Sequence, residues 1–251
     1  MSLFRPAVTA VGLLCSWQLV VWLSGVPPFI LPGPLTVALA GWRNLHLLAE
    51  HAATTGLEIV LGLLIGSLIG ALAALVLVSS APARRWLLPV LVISQALPVF
   101  ALAPLLVLWL GYGLLSKVAM AVLIIFFPVT LAFFDGLRRT ERGWLELARV
   151  MDAPPLAVLR QIRVPASLPA LGSGLRVAAA VAPIGAVVGE WVGSSGGLGY
   201  LMLHANARMQ VDLLFAALVV LSAMALSLWW LVDRVMTRFN RWQPASYQTN
   251  R

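Results

Sequence analysis

The residues that could do chemistry in this chain are few, because only 10% of its residues are charged while 61% are hydrophobic. Three acids stand out by position. Glu146 and Asp152 lie in the longest polar interval, residues 136–169, and Glu190 ends an apolar run. The polar interval also holds six arginines. Such acids can pair with basic groups within the chain or on a partner, and a carboxylate at the end of an apolar run is a functional candidate by default.

Several classes of chemistry are not supported by the remaining polar residues. His46, His51 and His204 have no metal-ligand spacing with one another or with Cys15, the only cysteine. Lys117 is the only lysine and does not stand in the Gly-Lys-Ser/Thr context of a phosphate-binding loop. No nucleophile with a paired base is found. We therefore expect no catalytic residue, no metal site and no cofactor on this chain.

The net charge of +8 comes almost wholly from arginine. Basic residues beside apolar runs are what membrane topology requires, so we interpret the charge as a membrane feature and not as a nucleic-acid surface. Ten tryptophans fit a protein that is anchored at two membrane interfaces.

Six apolar runs are long enough to be membrane-spanning helices. They predict an all-α, polytopic membrane protein that forms a single domain over residues 1–251. The first run could also be a signal peptide, but it lacks a clean cleavage site. The runs cover residues 7–23, 56–78, 87–110, 114–134, 171–191 and 213–232.

Two of these runs carry local signals. Gly62, Gly66 and Gly70 recur every four residues in the second run, which predicts close packing against another helix. In the third run, Pro98 and Pro104 predict a kinked helix. Ser94 and Gln95 precede the first kink and form either a polar patch on a translocation pathway or a hydrogen bond between helices.

The polar interval 136–169 has apolar residues at helical spacing, separated by Asp152 and two prolines. Because proline suits the first turn of a helix, a second helix is expected to begin near Pro154. The interval therefore predicts a hairpin of two short helices on the membrane surface. An ordinary amphipathic loop at the lipid interface is the alternative.

The spacing within this hairpin resembles the cytoplasmic EAA loop of ABC-importer permeases. That family has Glu-Ala-Ala, three residues, Gly, nine residues and Ile-x-Leu-Pro. Here the same intervals separate Glu146-Leu147-Ala148, Asp152 and Ile162-Arg163-Val164-Pro165. Two positions differ, since Leu147 replaces an alanine and Asp152 replaces the glycine. Glycine suits a left-handed helix end, and aspartate tolerates that conformation better than most residues do.

Further landmarks of the same family follow in order. They include the proline-rich stretch 97–117, Phe126-Phe127-Pro128, and Glu190 followed by Gly197-Leu198-Gly199-Tyr200. The resemblance covers residues 57–242. It implies the type I (MetI-like) fold with six transmembrane helices in the bacterial inner membrane, and a role as the permease subunit of an ATP-driven importer.

The family resemblance also implies partners. These are two cytoplasmic ATPases that hold ATP and Mg, an extracytoplasmic substrate-binding protein, a second permease copy in a homodimer, and membrane lipid. It assigns ATPase coupling to Glu146, Ala148, Asp152, Ile162 and Pro165. The residues themselves, and not the resemblance, make Ser94, Gln95 and Pro98 at the predicted kink and Glu190 at the end of the fifth run our candidates for the translocation pathway.

Placing both termini in the cytoplasm puts thirteen basic residues inside and three outside, a clear positive-inside distribution. The hairpin 136–169 then faces the cytoplasm, where an ATPase could reach it. Within the family, the stretch 189–210 is most similar to permeases for thiamine-precursor pyrimidines; sulfonate, taurine or nitrate is the alternative solute. A secondary transporter is the rival class, and a neighbouring ATPase gene would favour the importer.

Overall fold

The computed structural model describes residues 4–240, with side chains from residue 8 onwards. This part of the chain is nearly all helical and holds no β-strand, which confirms the predicted all-α class. The helices are α1 (Phe4–Ser24), α2 (Pro34–Arg43), α3 (Leu45–Ser79), α4 (Ala81–Ser94), α5 (Val99–Leu110), α6 (Leu114–Arg138), α7 (Arg142–Val150), α8 (Pro155–Ala157), α9 (Val164–Gly193), α10 (Leu198–Ala207) and α11 (Val211–Phe239).

Four of the described helical segments are long and apolar enough to cross a membrane: α3, α6, the continuous helix Pro155–Gly193, and α11. α4 and α5 pass the same test only together, with a bend of 101° between them. The described part of α1, Val8–Ser24, is a shorter apolar helix. Each predicted apolar run therefore falls on a helix or, for the third run, on a bent pair.

The core is built from α3, α6 and α9, which approach one another closely through small residues. A Cβ atom placed on Gly62 would lie 2.5 Å from Cβ of Ala121, and one on Gly66 would lie 2.9 Å from Cγ2 of Ile125. A Cβ on Gly185 of α9 would lie 2.7 Å from Cα of the same Ala121. The close packing predicted from the glycine spacing is confirmed.

α6 and α9 run in opposite directions, which defines two ends of the bundle. Gly189, near the end of α9, lies against Lys117 near the start of α6, while Gly136 of α6 lies against Ala170 of α9. We call the first of these the Glu190 end. The other end carries α7 and is called the α7 end.

A second apolar cluster lies towards the Glu190 end and joins the later helices to the beginning of the chain. α10 and α11 pack there against α2 and the first turns of α3, and Trp17 of α1 stacks on Phe215 with 5.7 Å between ring centroids. The polar residues Glu50 and His51 lie in α3, which begins at Leu45 and continues unbroken to Ser79.

The third apolar run differs from its prediction. A single kinked helix was expected over residues 87–110, but α4 ends at Ser94 and α5 begins at Val99. Pro98 caps α5 instead of lying inside a helix. Proline lacks an N–H and disfavours helical geometry at the residue before it, so the chain breaks there. Pro104 lies within α5, which remains a helix.

Candidate functional site

The first candidate site is the segment around α7, where the sequence predicted a hairpin. α7 buries Ala148 against the rest of the chain, while Glu146 is exposed. Apolar side chains beside it are also exposed, with Leu147 at 60% and Val150 at 83%. A short helix with one buried alanine, an exposed acid and exposed apolar side chains is suited to contact another protein.

α7 ends in a geometry that explains the residue at position 152. Asp152 has φ of 51°, in the left-handed region. Its N–H donates to the carbonyl of Arg149, and the N–H of Ala153 donates to the carbonyl of Ala148. These two bonds form a Schellman motif, in which the left-handed position is usually glycine. The left-handed helix end that suits the family's glycine is thus present here, with aspartate in the glycine position.

The second arm of the predicted hairpin begins at Pro155, as expected from the prolines. It is not a separate short helix, however. It continues through a π-helical stretch, Val158–Arg163, into α9. Ile162 and Pro165 are half-buried on this arm. The five residues assigned to coupling therefore lie on α7, on its terminal turn and on the start of one long helix.

The residues assigned to the pathway occupy two separate places. Ser94, Gln95 and Pro98 lie at the bend between α4 and α5, and all three are exposed. The Ser94 hydroxyl donates to the carbonyl of Leu91 at 2.7 Å. Neither Ser94 nor Gln95 forms a hydrogen bond with Glu190 in the described part of the chain. Their assignment to the pathway stays a prediction.

Glu190 is only 1% exposed, and both of its carboxylate oxygens accept hydrogen bonds. The Thr55 hydroxyl donates to Oε1 at 2.6 Å, and the N–H of Gly199 donates to Oε2. Thr55 in turn accepts the N–H of Leu198 at 2.8 Å. His51 Nδ1 accepts the N–H of Gly197 at 2.9 Å.

Three consecutive N–H groups at the start of α10 are thus bonded to side chains of α3 and α9. The local backbone requires glycine here, because Gly197 has φ of 106° and a Cβ on it would collide with the Glu190 carboxylate. The first N–H groups of a helix have no partner within the helix, and the Glu190 carboxyl accepts one of them.

A buried ion pair next to Glu190 was missed by the sequence reasoning. Lys117 Nζ lies 2.7 Å from Oε1 of Glu58, and the two side chains are 8% and 0% exposed. The second oxygen of Glu58, Oε2, is buried without a hydrogen-bond partner. The Glu58 carboxyl also lies within interaction range of the Glu190 carboxyl. Two buried acids and one ammonium group, which pairs with Glu58, are therefore clustered here.

A groove lies on the outer face of the same end, between α9, α10 and α11. Its lining is mostly aliphatic, with one tryptophan and two neutral polar side chains. We call it the apolar groove. It is lined by Ala180, Pro183, Ile184, Val187, Val188, Trp191, Met202, Leu203, Asn206, Leu214, Leu218, Leu221, Ser222 and Ala225.

The described residues offer no group of three His, Cys, Asp or Glu side chains that could hold a metal ion. The polar side chains described above form ion pairs and hydrogen bonds that connect helices. At the α7 end, polar side chains are exposed on the surface.

Comparison with known proteins agrees with these features. Residues 66–243 match the family model described as binding-protein-dependent transport system inner membrane component. The chain is 55% identical to a probable ABC transporter permease protein of Haemophilus influenzae, covering 94% of this chain and 97% of the relative.

Two further relatives have names that include a solute. The riboflavin transport system permease protein RibX of Chloroflexus aurantiacus is 40% identical, covering 94% of this chain and 89% of the relative. The formylaminopyrimidine transport permease protein ThiX of Halalkalibacterium halodurans is 35% identical, covering 88% and 89%.

The fold is shared with a solved structure of the MetNI methionine ABC transporter. The TM-score is 0.60 at 19% identity, covering 82% of this chain and 97% of the solved one. The predicted type I (MetI-like) fold is therefore confirmed. The family match, the extent of the relatives and the apolar helices together show that this chain belongs to the inner-membrane permease family of binding-protein-dependent ABC importers.

Proposed function

We propose that this permease imports a small, polar, heteroaromatic solute of the formylaminopyrimidine type, and that the apolar groove forms part of its pathway. The observation that carries the proposal is the groove's lining. Trp191, Asn206 and Ser222 are set among aliphatic side chains, with no charged residue among them. Sites for small organic molecules are typically apolar and aromatic, with a few polar groups that fix orientation. A flat ring can stack on an indole and bond to an amide.

Two relatives support the same solute class, since they are named for riboflavin and for formylaminopyrimidine, both nitrogen heterocycles. Other relatives are named for aliphatic sulfonates and for taurine. A sulfonate, taurine or nitrate is the alternative that the family resemblance suggested. An anionic group in an apolar site needs a cationic or hydrogen-bonding partner, and the groove's lining contains no cationic side chain. The heterocycle is therefore favoured.

Energy for import is proposed to come from two ATPase subunits that bind at the α7 end and hold ATP and Mg. Glu146 is the exposed acid that would pair with a basic group of the ATPase, with Ala148, Asp152, Ile162 and Pro165 shaping the surface around it. Closure of the ATPases would move α7 and the helix Pro155–Gly193 together. A rigid-body change of this kind can exchange an outward-open for an inward-open cavity.

The remaining subunits follow from the same proposal. A substrate-binding protein delivers the solute at the Glu190 end, which is then extracytoplasmic, and both termini lie in the cytoplasm. A second copy of this chain completes the pathway, because closed two-fold dimers are the usual solution for such assemblies. Ser94, Gln95 and Pro98 would then line the pathway at the bend between α4 and α5.

Uptake by cells that express the complete transporter tests the proposal. Radiolabelled formylaminopyrimidine should accumulate, and an excess of unlabelled compound should compete while taurine and nitrate do not. Depleting ATP should stop uptake, whereas collapsing the proton gradient at constant ATP should not. Competition by taurine would indicate the alternative solute. Uptake that follows the proton gradient would indicate a secondary transporter.

A matched pair of variants tests the groove. Trp191→Phe retains an aromatic ring and should keep most of the uptake. Trp191→Ala removes about 1–3 kcal/mol of stacking and apolar contact and should reduce uptake at limiting solute by about tenfold. Equal uptake by parent and Trp191→Ala at equal abundance would exclude the groove from the pathway.

A further inference from the structure

The start of α10 is held by side chains of two other helices, and this arrangement has a role beyond folding. α10 supplies Met202, Leu203 and Asn206 to the apolar groove. Its position therefore sets one wall of that groove. The three N–H groups that begin α10 reach His51 and Thr55 of α3 and Glu190 of α9.

We propose that Thr55 and Glu190 are positioning residues for transport, which hold α10 as one wall of the groove, and that the Lys117–Glu58 ion pair keeps their anchor in place. The inference rests on the proposed role of the groove. The anchor does not touch the solute, because Glu190 and Thr55 are 1% and 0% exposed.

Thr55 is the central member of the anchor. Its hydroxyl donates to Glu190 Oε1 at 2.6 Å and accepts the N–H of Leu198 at 2.8 Å. One hydroxyl therefore connects α3, α9 and α10. Because it is buried, its removal leaves both a backbone N–H and a carboxylate oxygen without that partner.

The second layer of the anchor is electrostatic. Glu58 is paired with the ammonium of Lys117 at 2.7 Å, and its carboxyl interacts with that of Glu190. These three groups come from α9, α3 and α6, the helices that form the core of the bundle. A change in the packing of these helices is thus communicated directly to the start of α10.

The test uses the complete transporter with its ATPase and binding protein in proteoliposomes. Cys15, the only cysteine, is replaced by serine, and a reporter is introduced as Ala205→Cys. Ala205 lies in α10 and is 1% exposed. The rate at which a maleimide labels this cysteine measures how firmly α10 is held, and the solute imported per ATP hydrolysed measures coupling.

Thr55→Val keeps the shape of the side chain and removes the hydroxyl. We expect it to raise the labelling rate about tenfold or more and to lower the solute imported per ATP by a similar factor, while ATP hydrolysis stays within about twofold. Thr55→Ser retains the hydroxyl and should restore both values. Glu50→Gln removes an exposed acid from the same helix and should change neither.

A second pair of variants covers the case in which Thr55→Val accumulates poorly. Gly197→Ala places a Cβ on the Glu190 carboxylate, whereas Gly196→Ala places one in open space. Only the first should raise labelling and reduce coupling.

Parent-like labelling and coupling in Thr55→Val and Gly197→Ala would overturn the proposal. The proposal would also be overturned if uptake and ATP hydrolysis in these variants fell together, in proportion to the amount of permease in the membrane. The anchor would then serve folding alone. The labelling rate does not depend on the solute. If the variants change the labelling rate but the parent imports no formylaminopyrimidine, the proposed solute is contradicted. The proposed role of the anchor is then still supported.

Discussion

The ammonium nitrogen of Lys117 lies 2.7 Å from a carboxylate oxygen of Glu58, and both side chains are buried. The only lysine of the chain thus joins the first part of α3 to the first turn of α6. Taking two charges out of water is costly, and their attraction offsets this cost only while both are present. Removal of one partner is therefore more harmful than removal of both.

Lys117→Met should lower the free energy of unfolding by about 3–5 kcal/mol, because it leaves Glu58 buried without its cation. The double variant Lys117→Met with Glu58→Gln should recover a large part of this loss. Thermal unfolding of the solubilised chain measures both. Arg176→Gln is the control, since the Arg176–Asp233 pair is 27% and 37% exposed and should contribute less. If the free-energy losses of the two single variants simply add in the double variant, the two side chains do not stabilise each other as a pair.

Glu146→Ala should leave the permease at normal abundance while uptake collapses and the ATPase co-purifies poorly. Glu146 is exposed, so its loss costs the fold little. A charge pair buried in an interface and broken on one side costs about 2–5 kcal/mol, which weakens docking by more than tenfold. Glu141→Ala, an exposed acid just before α7, is the matched control. If uptake and ATPase recovery are unchanged in Glu146→Ala, the loop is an ordinary surface segment and does not dock an ATPase through Glu146.

Cysteines at Val150 and Met209 should be labelled from opposite sides of the membrane. These side chains are 83% and 62% exposed and lie at the α7 end and after α10, respectively. In a Cys15→Ser background, Val150→Cys should react only when the reagent reaches the cytoplasm, because the arginine distribution places this end inside. Met209→Cys should react from outside. Labelling of Val150→Cys from outside intact cells would refute the topology.

Gly62→Ala should destabilise the bundle by about 1–3 kcal/mol, because its Cβ would meet that of Ala121 across the α3–α6 contact. The double variant with Ala121→Gly removes the opposing Cβ and should recover part of the loss. Membrane abundance and melting temperature are the measurements. Gly12→Ala is the control, since nothing lies within 4 Å of a Cβ at that position. Equal behaviour of the two glycine variants would show that the contact tolerates the extra atoms.

Much of the fold could be predicted because its signals are local. Apolar runs of membrane length predicted the helices, and the glycines at 62, 66 and 70 predicted a close contact that the structure contains. The prolines after Asp152 predicted a helix start near Pro154, and it is present. The family's glycine position suggested a left-handed helix end, and Asp152 adopts one.

The remainder depends on contacts that no local pattern records. Glu58 and Lys117 are 59 residues apart in the chain, and an isolated acid beside an apolar run does not indicate its partner. Pro98 and Pro104 are similar in the sequence, yet the chain breaks only at the first. No local pattern distinguishes Gly197 from an ordinary turn glycine. Its function depends on Glu190, whose carboxylate occupies the space that a side chain would need.

The continuous helix from Pro155 to Gly193 gives the molecule a mechanical property. Its 39 residues extend about 58 Å at 1.5 Å per residue, nearly twice the hydrocarbon thickness of a bilayer. One tip of this rod carries the surface beside α7, and Glu190 lies near the other tip. A tilt of about 5° about one tip would displace the other by about 5 Å at this length. A tilt of this one helix can thus move Glu190, and with it the start of α10, without a chain of side-chain contacts between the two ends.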